Sequence, residues 1–200
     1  GGRLEEAVEI ANFFLPRGKV IVTTKGKTKQ ASNTYKTLRE PLDLDIPITV
    51  LVNGATASAS EILSGAFQDF DRAVIVGSRT FGKGLVQTTR PLPYGGVMKL
   101  TTSKYYIPSG RCVQAIDYKH RNEDGSVGTI PDSLTTVFHT AAGREVRDGG
   151  GVMPDIEVKQ EKLPNILFYL VRDNLIFDYA TQYCLCLLYT SPSPRDKRQS

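Results

Sequence analysis

The 200-residue chain has no tryptophan, two histidines and three cysteines. Neither His120 nor His139 is accompanied by a G-x-S-x-G elbow anywhere in the sequence, which argues against a Ser/His hydrolase of that type. The two isolated histidines and the cysteines at 112, 184 and 186 lack ligand spacing, so no metal is expected, and Cys112, the one cysteine before position 184, forms no internal disulfide by itself. No apolar run approaches the length that spans a membrane. No large excess of one charge is present either: 25 Lys and Arg against 21 Asp and Glu leave a net charge of +4, without a basic stripe interleaved with aromatics, and nucleic acid is not an expected partner. What remains, at 40% hydrophobic and 23% charged residues, suits one soluble globular domain with a core of its own.

The informative segment is Asn53-Gly-Ala-Thr-Ala-Ser-Ala-Ser-Glu-Ile-Leu63 with Lys83 twenty-five positions beyond Ser58. An apolar run at Ile48–Val52 and the turn signal Asn53-Gly54 precede Ser58, and a helical apolar stripe at Ile62, Leu63, Ala66, Phe67 and Phe70 follows it. A serine at such a strand-to-helix turn sits beside the positive end of a helix dipole, which suits a nucleophile, and Lys83 is the candidate base. Ser58-Ala-Ser-Glu61 also reads as a capping box, an explanation of Ser58 that needs no chemistry. A lysine between glycines is, on the same footing, most often a solvated charge. A rival occupies the same stretch: Gly77-Ser-Arg-Thr-Phe-Gly-Lys83-Gly84 is nearly a phosphate-binding loop. Gly84 stands where that loop needs Ser or Thr for magnesium, and the β-rich Leu85–Thr89 stands where it needs a helix. A third reading is a binding module that keeps the fold without turnover.

The text through GGRLEEAVEIANFFLPRGKVIVTTKGK, VLVNGATASASEILSGAFQDFDRAVIVGSRTFGKGLVQTTRPL, LTTSKYYIPSGRCVQ and GGGVMPDIEV resembles the C-terminal processing peptidases, or tail-specific proteases, over most of residues 1 to about 160. The resemblance implies a serine endopeptidase that cuts proteins at or near their C-termini with a Ser/Lys dyad and no cofactor. By that resemblance Ser58 is the nucleophile, Lys83 the general base, and Gln87 the side chain that hydrogen-bonds and orients the base. The backbone N–H groups of Gly2 and Ala59 form the oxyanion hole, and Glu61 has an accessory role. These types make chemical sense. A lysine is a base only when neutral, against an ordinary value of about 10.4, so Lys83 is expected to be buried. A neutral glutamine orients it without pairing with its charge. The resemblance further implies a crotonase-like β-β-α core, substrates with apolar C-termini, and a bacterial, extracytoplasmic setting. A signal or anchor, a helical segment and a PDZ domain are expected upstream of Gly1. The RCVQ, IPDSL and IFDYAT segments look most like Bacteroidetes-type members.

The fold class expected is α/β with a mixed sheet. Leu4, Ala7, Val8, Ala11, Phe14 and Leu15 form a helical stripe that stops before Pro16, and Lys19–Thr24 reads as a strand. Residues 25–45 and 119–132 are expected to be polar loops. Strand, helix and strand from Ile48 to Gly77 make a βαβ unit, followed by strands at Leu85–Thr89 and Val97–Tyr106. A hairpin over Phe138–Arg147 and one helix over Leu163–Ala180 complete the chain. Tyr105 and Tyr106 read as strand packing, and Gly149-Gly-Gly151 with Pro154-Asp155 as a turn without chemistry. Residues 1–183 are the expected peptidase domain. Residues 184–200 resemble a translated sequencing adapter, whose removal takes the charge from +4 to +2.

Overall fold

The computed structural model describes residues 1–159 and 164–190 in two units, Gly1–Lys159 and Gln160–Ser200. The first contains α1 (Leu4–Phe14), β1 (Val20–Gly26), β2 (Asn33–Lys36), β3 (Thr49–Val52), α2 (Ala59–Asp69), β4 (Val74–Gly77), β5 (Leu85–Pro91), β6 (Val97–Tyr106), β7 (Ile116–Arg121), β8 (Val127–Thr129), β9 (Val137–His139), β10 (Glu145–Arg147) and β11 (Ile156–Glu157). The second contains α3 (Asn165–Arg172) and α4 (Leu175–Thr190). None of the described helices is long and apolar enough to cross a membrane.

The strands divide between a parallel sheet ordered β11-β4-β3 and an antiparallel sheet ordered β2-β1-β6-β5, with hairpins β7-β8 and β9-β10 beside them. β3 and β4 pair in parallel from Thr49 opposite Val74 to Val52 opposite Gly77, so β3, α2 and β4 form the expected βαβ unit. The α/β class is therefore what the chain adopts. In α1 the predicted stripe is the buried one, with Ala7, Val8, Ala11 and Leu15 at most 7% exposed. It meets Ile62, Ala66 and Phe67 of α2, Ile21 and Val22 of β1, and Ile75 of β4 in one cluster.

α2 is buried beyond the apolar face that its sequence shows: Glu61, Ser64, Gln68 and Asp69 are all at most 3% exposed. Each polar side chain has a partner, as burial demands. Ser64 Oγ donates to the Ser60 carbonyl at 2.9 Å, and Gln68 Nε2 donates to the Met153 carbonyl and to Asp155 Oδ1, both at 2.8 Å. Asp69 Oδ1 accepts from Arg111 Nη2 at 2.9 Å, and both side chains are 1% exposed. Burial pushes the Asp69 carboxyl up and Arg111 down, against their mutual attraction. Gly65 allows a close approach here, since a Cβ at this position would lie 2.6 Å from Ile107 Cδ1.

Three sequence expectations need correction. Residues 25–45 are not wholly irregular, because Asn33–Lys36 pairs with β1 as an edge strand. Residues 119–132 hold most of a hairpin, β7-β8, closed at Asn122–Gly125, where Gly125 takes a φ of 78°. The Asp124-Gly125 turn signal was present in the sequence, masked by a charged surround. The helix expected over Leu163–Ala180 is two helices, interrupted at Asn174 with a φ of 59°. The apolar residues of this segment at Ile166, Leu167, Leu170, Leu175 and Ile176 are not buried. α4 continues through position 183, and residues 191–200 of the adapter-like tail lie outside the described residues.

Candidate active site at the start of the central helix

The chain leaves β3 through a tight turn in which the Ala55 N–H donates to Asn53 Oδ1 at 2.9 Å and the Thr56 N–H to the Asn53 carbonyl at 2.9 Å. Ser58 follows with φ 59° and ψ −120°, a conformation that a non-glycine residue adopts at a cost of about 1–3 kcal/mol. Such strain persists only where surrounding contacts impose it. Here they are plain. The Ser58 N–H donates to Glu61 Oε2 at 2.9 Å, while the Glu61 N–H donates to the Ser58 main-chain carbonyl at 2.8 Å. Ser58 and Glu61 thus hold the expected capping-box positions. The half-buried hydroxyl stands at the positive end of the α2 dipole.

Glu61 does more than cap. Its carboxylate is fully buried, and besides Ser58 it accepts from Thr80 Oγ1 at 2.5 Å, from the Gly82 N–H at 2.7 Å and from the Lys83 N–H at 2.9 Å. One carboxylate therefore fixes the main chain at both Ser58 and Lys83. Glycines let the 82–84 loop come this close. A Cβ on Gly82 would lie 2.3 Å from Ala115 Cβ, and one on Gly84 would lie 2.8 Å from the Gln114 N atom. The phosphate-loop alternative fails on this geometry: the Gly82 and Lys83 N–H groups are spent on a carboxylate, and β5 follows where a helix would have to begin.

Tyr105 supplies a second clamp. It is 1% exposed, and its hydroxyl donates to the Lys83 carbonyl and approaches the Ser58 carbonyl at 3.2 Å. Burial, then the nearby Glu61 charge, hold the phenol well above its ordinary value, so it remains a donor throughout the physiological range. Tyr105→Phe is expected to lower kcat roughly tenfold with little change in KM and to cost about 1–2 kcal/mol in urea unfolding. Lost stability with unchanged turnover would make Tyr105 a core residue only.

The remaining residues divide. The Gly2 backbone lies against the helix start: a Cβ on Gly2 would be 3.7 Å from Ala59 Cβ, and Ser60 Oγ donates to the Gly1 carbonyl at 2.6 Å. Gly2 and Ala59 are thus adjacent. Lys83 is half-buried rather than buried as expected, and its amine makes no hydrogen bond or ion pair, to Ser58 or to any other described residue. The orienting bond expected from Gln87 is absent, since Gln87 is exposed and lines a pocket of about 610 Å³ with Lys104, Cys112 and Gln114. The reason is local: from Leu85 the chain is a strand, so a four-residue step spans roughly 13 Å instead of about one helical turn.

Thr80, Tyr105 and Gly151 are site residues that the sequence reading missed. Thr80 Oγ1, besides donating to Glu61, accepts from the Val152 N–H at 2.7 Å. Gly151, at φ 75°, passes so close that a Cβ would lie 2.7 Å from the Thr80 oxygens. The Gly-Gly-Gly run read as a turn without chemistry is therefore a buttress of the Glu61 cluster. Its only signal was the density of glycine.

Peptidase family S41 matches residues 1–132, and the chain belongs to that family. Over 116 residues it is 45% identical to a carboxy-terminal-processing protease of Bartonella bacilliformis, covering 58% of this chain and 26% of that one. Over 115 residues it is 45% identical to a probable CtpA-like serine protease of Staphylococcus aureus strain N315, covering 56% of this chain and 23% of the relative. The chain thus spans about a quarter of the length of these relatives. Among solved structures it resembles a photosystem II D1 C-terminal processing protease, with a TM-score of 0.57 at 30% identity over 82% of this chain and 33% of the other. It shares the fold of an S41 protease from Bacteroides fragilis at a TM-score of 0.54 and 15% identity.

Proposed function

We propose that this chain is the catalytic portion of a serine endopeptidase that cuts proteins at or near their C-termini, with apolar tails as the substrates. The observation that carries this reading is the Glu61 carboxylate, which takes the Ser58 and Lys83 N–H groups at 2.9 Å each. In the proposed reaction the Lys83 amine accepts the Ser58 hydroxyl proton as Oγ attacks the scissile carbonyl carbon. The Gly2 and Ala59 N–H groups stabilise the oxyanion, and the lysine returns the proton to the departing amine. Water then opens the acyl-enzyme, with the same lysine as base. Gln87 is the residue that would orient the amine once the loop from Lys83 to β5 adjusts. An extracytoplasmic bacterial setting goes with the reading, as does an upstream PDZ domain that grips substrate.

A fluorophosphonate probe tests the nucleophile directly. Mass spectrometry of the treated chain is expected to place the phosphonyl group on the peptide containing Ser58, and Lys83→Met to abolish the modification. Retained peptide binding without any Ser58 adduct would instead support the binding-module reading.

A further inference from the structure

The hairpin of β5 and β6 ends in a free-standing tip. Every residue from Thr89 to Thr101 is exposed. Beyond the strand ladder, the main-chain hydrogen bonds of the tip close within it, from the Leu92 N–H to the Gly96 carbonyl at 2.8 Å and from the Gly96 N–H to the Pro93 carbonyl at 3.4 Å. A Cβ on Gly95 would meet nothing within 4 Å, and one on Gly96 would meet only Leu92 and Pro93. The tip is nevertheless apolar: Leu92 is 44% exposed, Val97 66% and Met98 38%, and Tyr94 stands fully in solvent. Apolar side chains grouped at a free end mark a contact surface. Tyr94 and Gly95 both have positive φ, 61° and 74°. That is the pairing of a type I′ turn, whose first position suits Asn, Asp or Gly, and a bulky side chain there is an outlier. The strained backbone turns an aromatic ring outward, where it meets no partner among the described residues.

The charge around the tip has one sign. From Arg72 to Ile116 the sequence contains no aspartate or glutamate. The four strands of the antiparallel sheet carry Lys25, Lys36, Arg90, Lys99 and Lys104 and no acid, and none of these cations forms a salt bridge with a described residue. Glu5 shares a groove with Arg90 without pairing to it. Like charges even face each other where Lys25 of β1 pairs with Lys104 of β6. Nearest the tip, the register sets Arg90 opposite Met98 and Thr89 opposite Lys99, so Arg90 and Lys99 leave opposite faces of the hairpin. We propose that this tip docks on an anionic lipid bilayer, with Leu92, Tyr94, Val97 and Met98 in the interfacial layer and Arg90 and Lys99 on lipid phosphates to either side. An apolar end with a cation on each face matches a flat boundary between hydrocarbon and negative charge, and tyrosine rings settle at such boundaries. A nucleic acid strand would leave the four apolar side chains in water. The contact is peripheral, since none of the described helices is long and apolar enough to cross a membrane. It is independent of the chemistry at Ser58.

The chain has no tryptophan, so Tyr94→Trp in the full chain places a single fluorescent reporter at the tip. The probes are phosphatidylcholine vesicles with and without about 30% phosphatidylglycerol, at about 50 mM salt. Partitioning is expected to be roughly tenfold stronger on the anionic vesicles, with a blue shift of the emission and quenching by brominated acyl chains. Arg90→Gln with Lys99→Gln should remove the preference for anionic lipid, whereas Lys36→Gln, on the far edge strand, should leave it intact. Tyr94→Asn suits the turn and is expected to cut partitioning roughly fivefold while holding or raising Tm, which separates lost docking from lost folding. Equal partitioning on both vesicles, or binding without quenching, would overturn the proposal. So would a preference that survives replacement of Arg90 and Lys99. Tighter binding of a single-stranded oligonucleotide would overturn it in favour of a general polyanion site, and a dimer that Tyr94→Asn dissolves would overturn it in favour of a contact between copies. Failure on vesicles leaves the peptidase reading standing, and a missing Ser58 adduct leaves lipid docking standing.

Discussion

Ser58→Ala is expected to reduce peptide hydrolysis by about 10⁴-fold or more, and Lys83→Met by a similar factor, because residues acting as one unit are lost together. The double variant should then be scarcely worse than either single one, and initial rates on an unfolded protein substrate measure all three. Multiplicative losses would mean that the two side chains do not work as a pair. The backbone at Ser58 adds a distinctive second readout. With φ at 59° and ψ at −120°, Ser58→Gly should relieve strain and raise unfolding stability by about 1 kcal/mol while removing activity. A nucleophile held in a costly conformation predicts that opposition of stability and function. A simple helix cap does not, since replacing a capping serine with glycine costs only a few tenths of a kcal/mol and stabilises nothing.

Glu61→Gln is the second large effect, and it follows from hydrogen-bond inventory. An ionised carboxylate only accepts, and both Glu61 oxygens are occupied, Oε1 by Thr80 and Gly82 and Oε2 by Ser58 and Lys83. A glutamine of the same shape must turn its NH2 group toward one of these pairs, so donors face donors wherever the amide is placed. Glu61 is fully buried, so bulk solvent does not relieve the conflict, and the expected loss is about 2–4 kcal/mol, or roughly 5–10 °C in Tm. Activity should fall further than stability explains, since a displaced Oε2 releases the main chain at Ser58 and Lys83 together. Glu61→Asp keeps the charge but is too short to reach all four donors, and partial recovery is expected. Full activity in Glu61→Gln, by fluorophosphonate modification and by hydrolysis, would reduce Glu61 to a helix cap.

The local elements were legible because their causes are local. The stripe from Leu4 to Leu15, the strand before Asn53-Gly54 and the helix after Ser58 are written in apolar spacing and turn residues, and each stands within a residue or two of its expected place. The failures have equally local or contextual causes. Residues 25–45 conceal β2, whose four residues are mostly exposed and carry no alternation to read. The Gln87 role came from resemblance, and the extended backbone of β5, which carries its side chain away from Lys83, is not announced by that resemblance. Tyr105 looked like packing and is packed, but its hydroxyl position depends on pairing with Thr24 across β1, which nothing near Tyr105 in the sequence announces.

By itself, then, the sequence determined the α/β class, the βαβ unit with Ser58 at the head of its helix, and the glycines that leave Lys83 in a narrow loop, since all of these depend on intrinsic backbone preference and hydrophobic period. The tertiary structure alone decided what those pieces do to one another. It buried Glu61 so that one carboxylate had to satisfy four donors from two segments, closed Gly151 against Thr80, and set Tyr105 beneath both candidate catalytic carbonyls. It also placed Lys25 opposite Lys104. Such relations arise where burial forces distant polar groups to find partners, and where strand register brings like charges together, and no spacing along the chain encodes either.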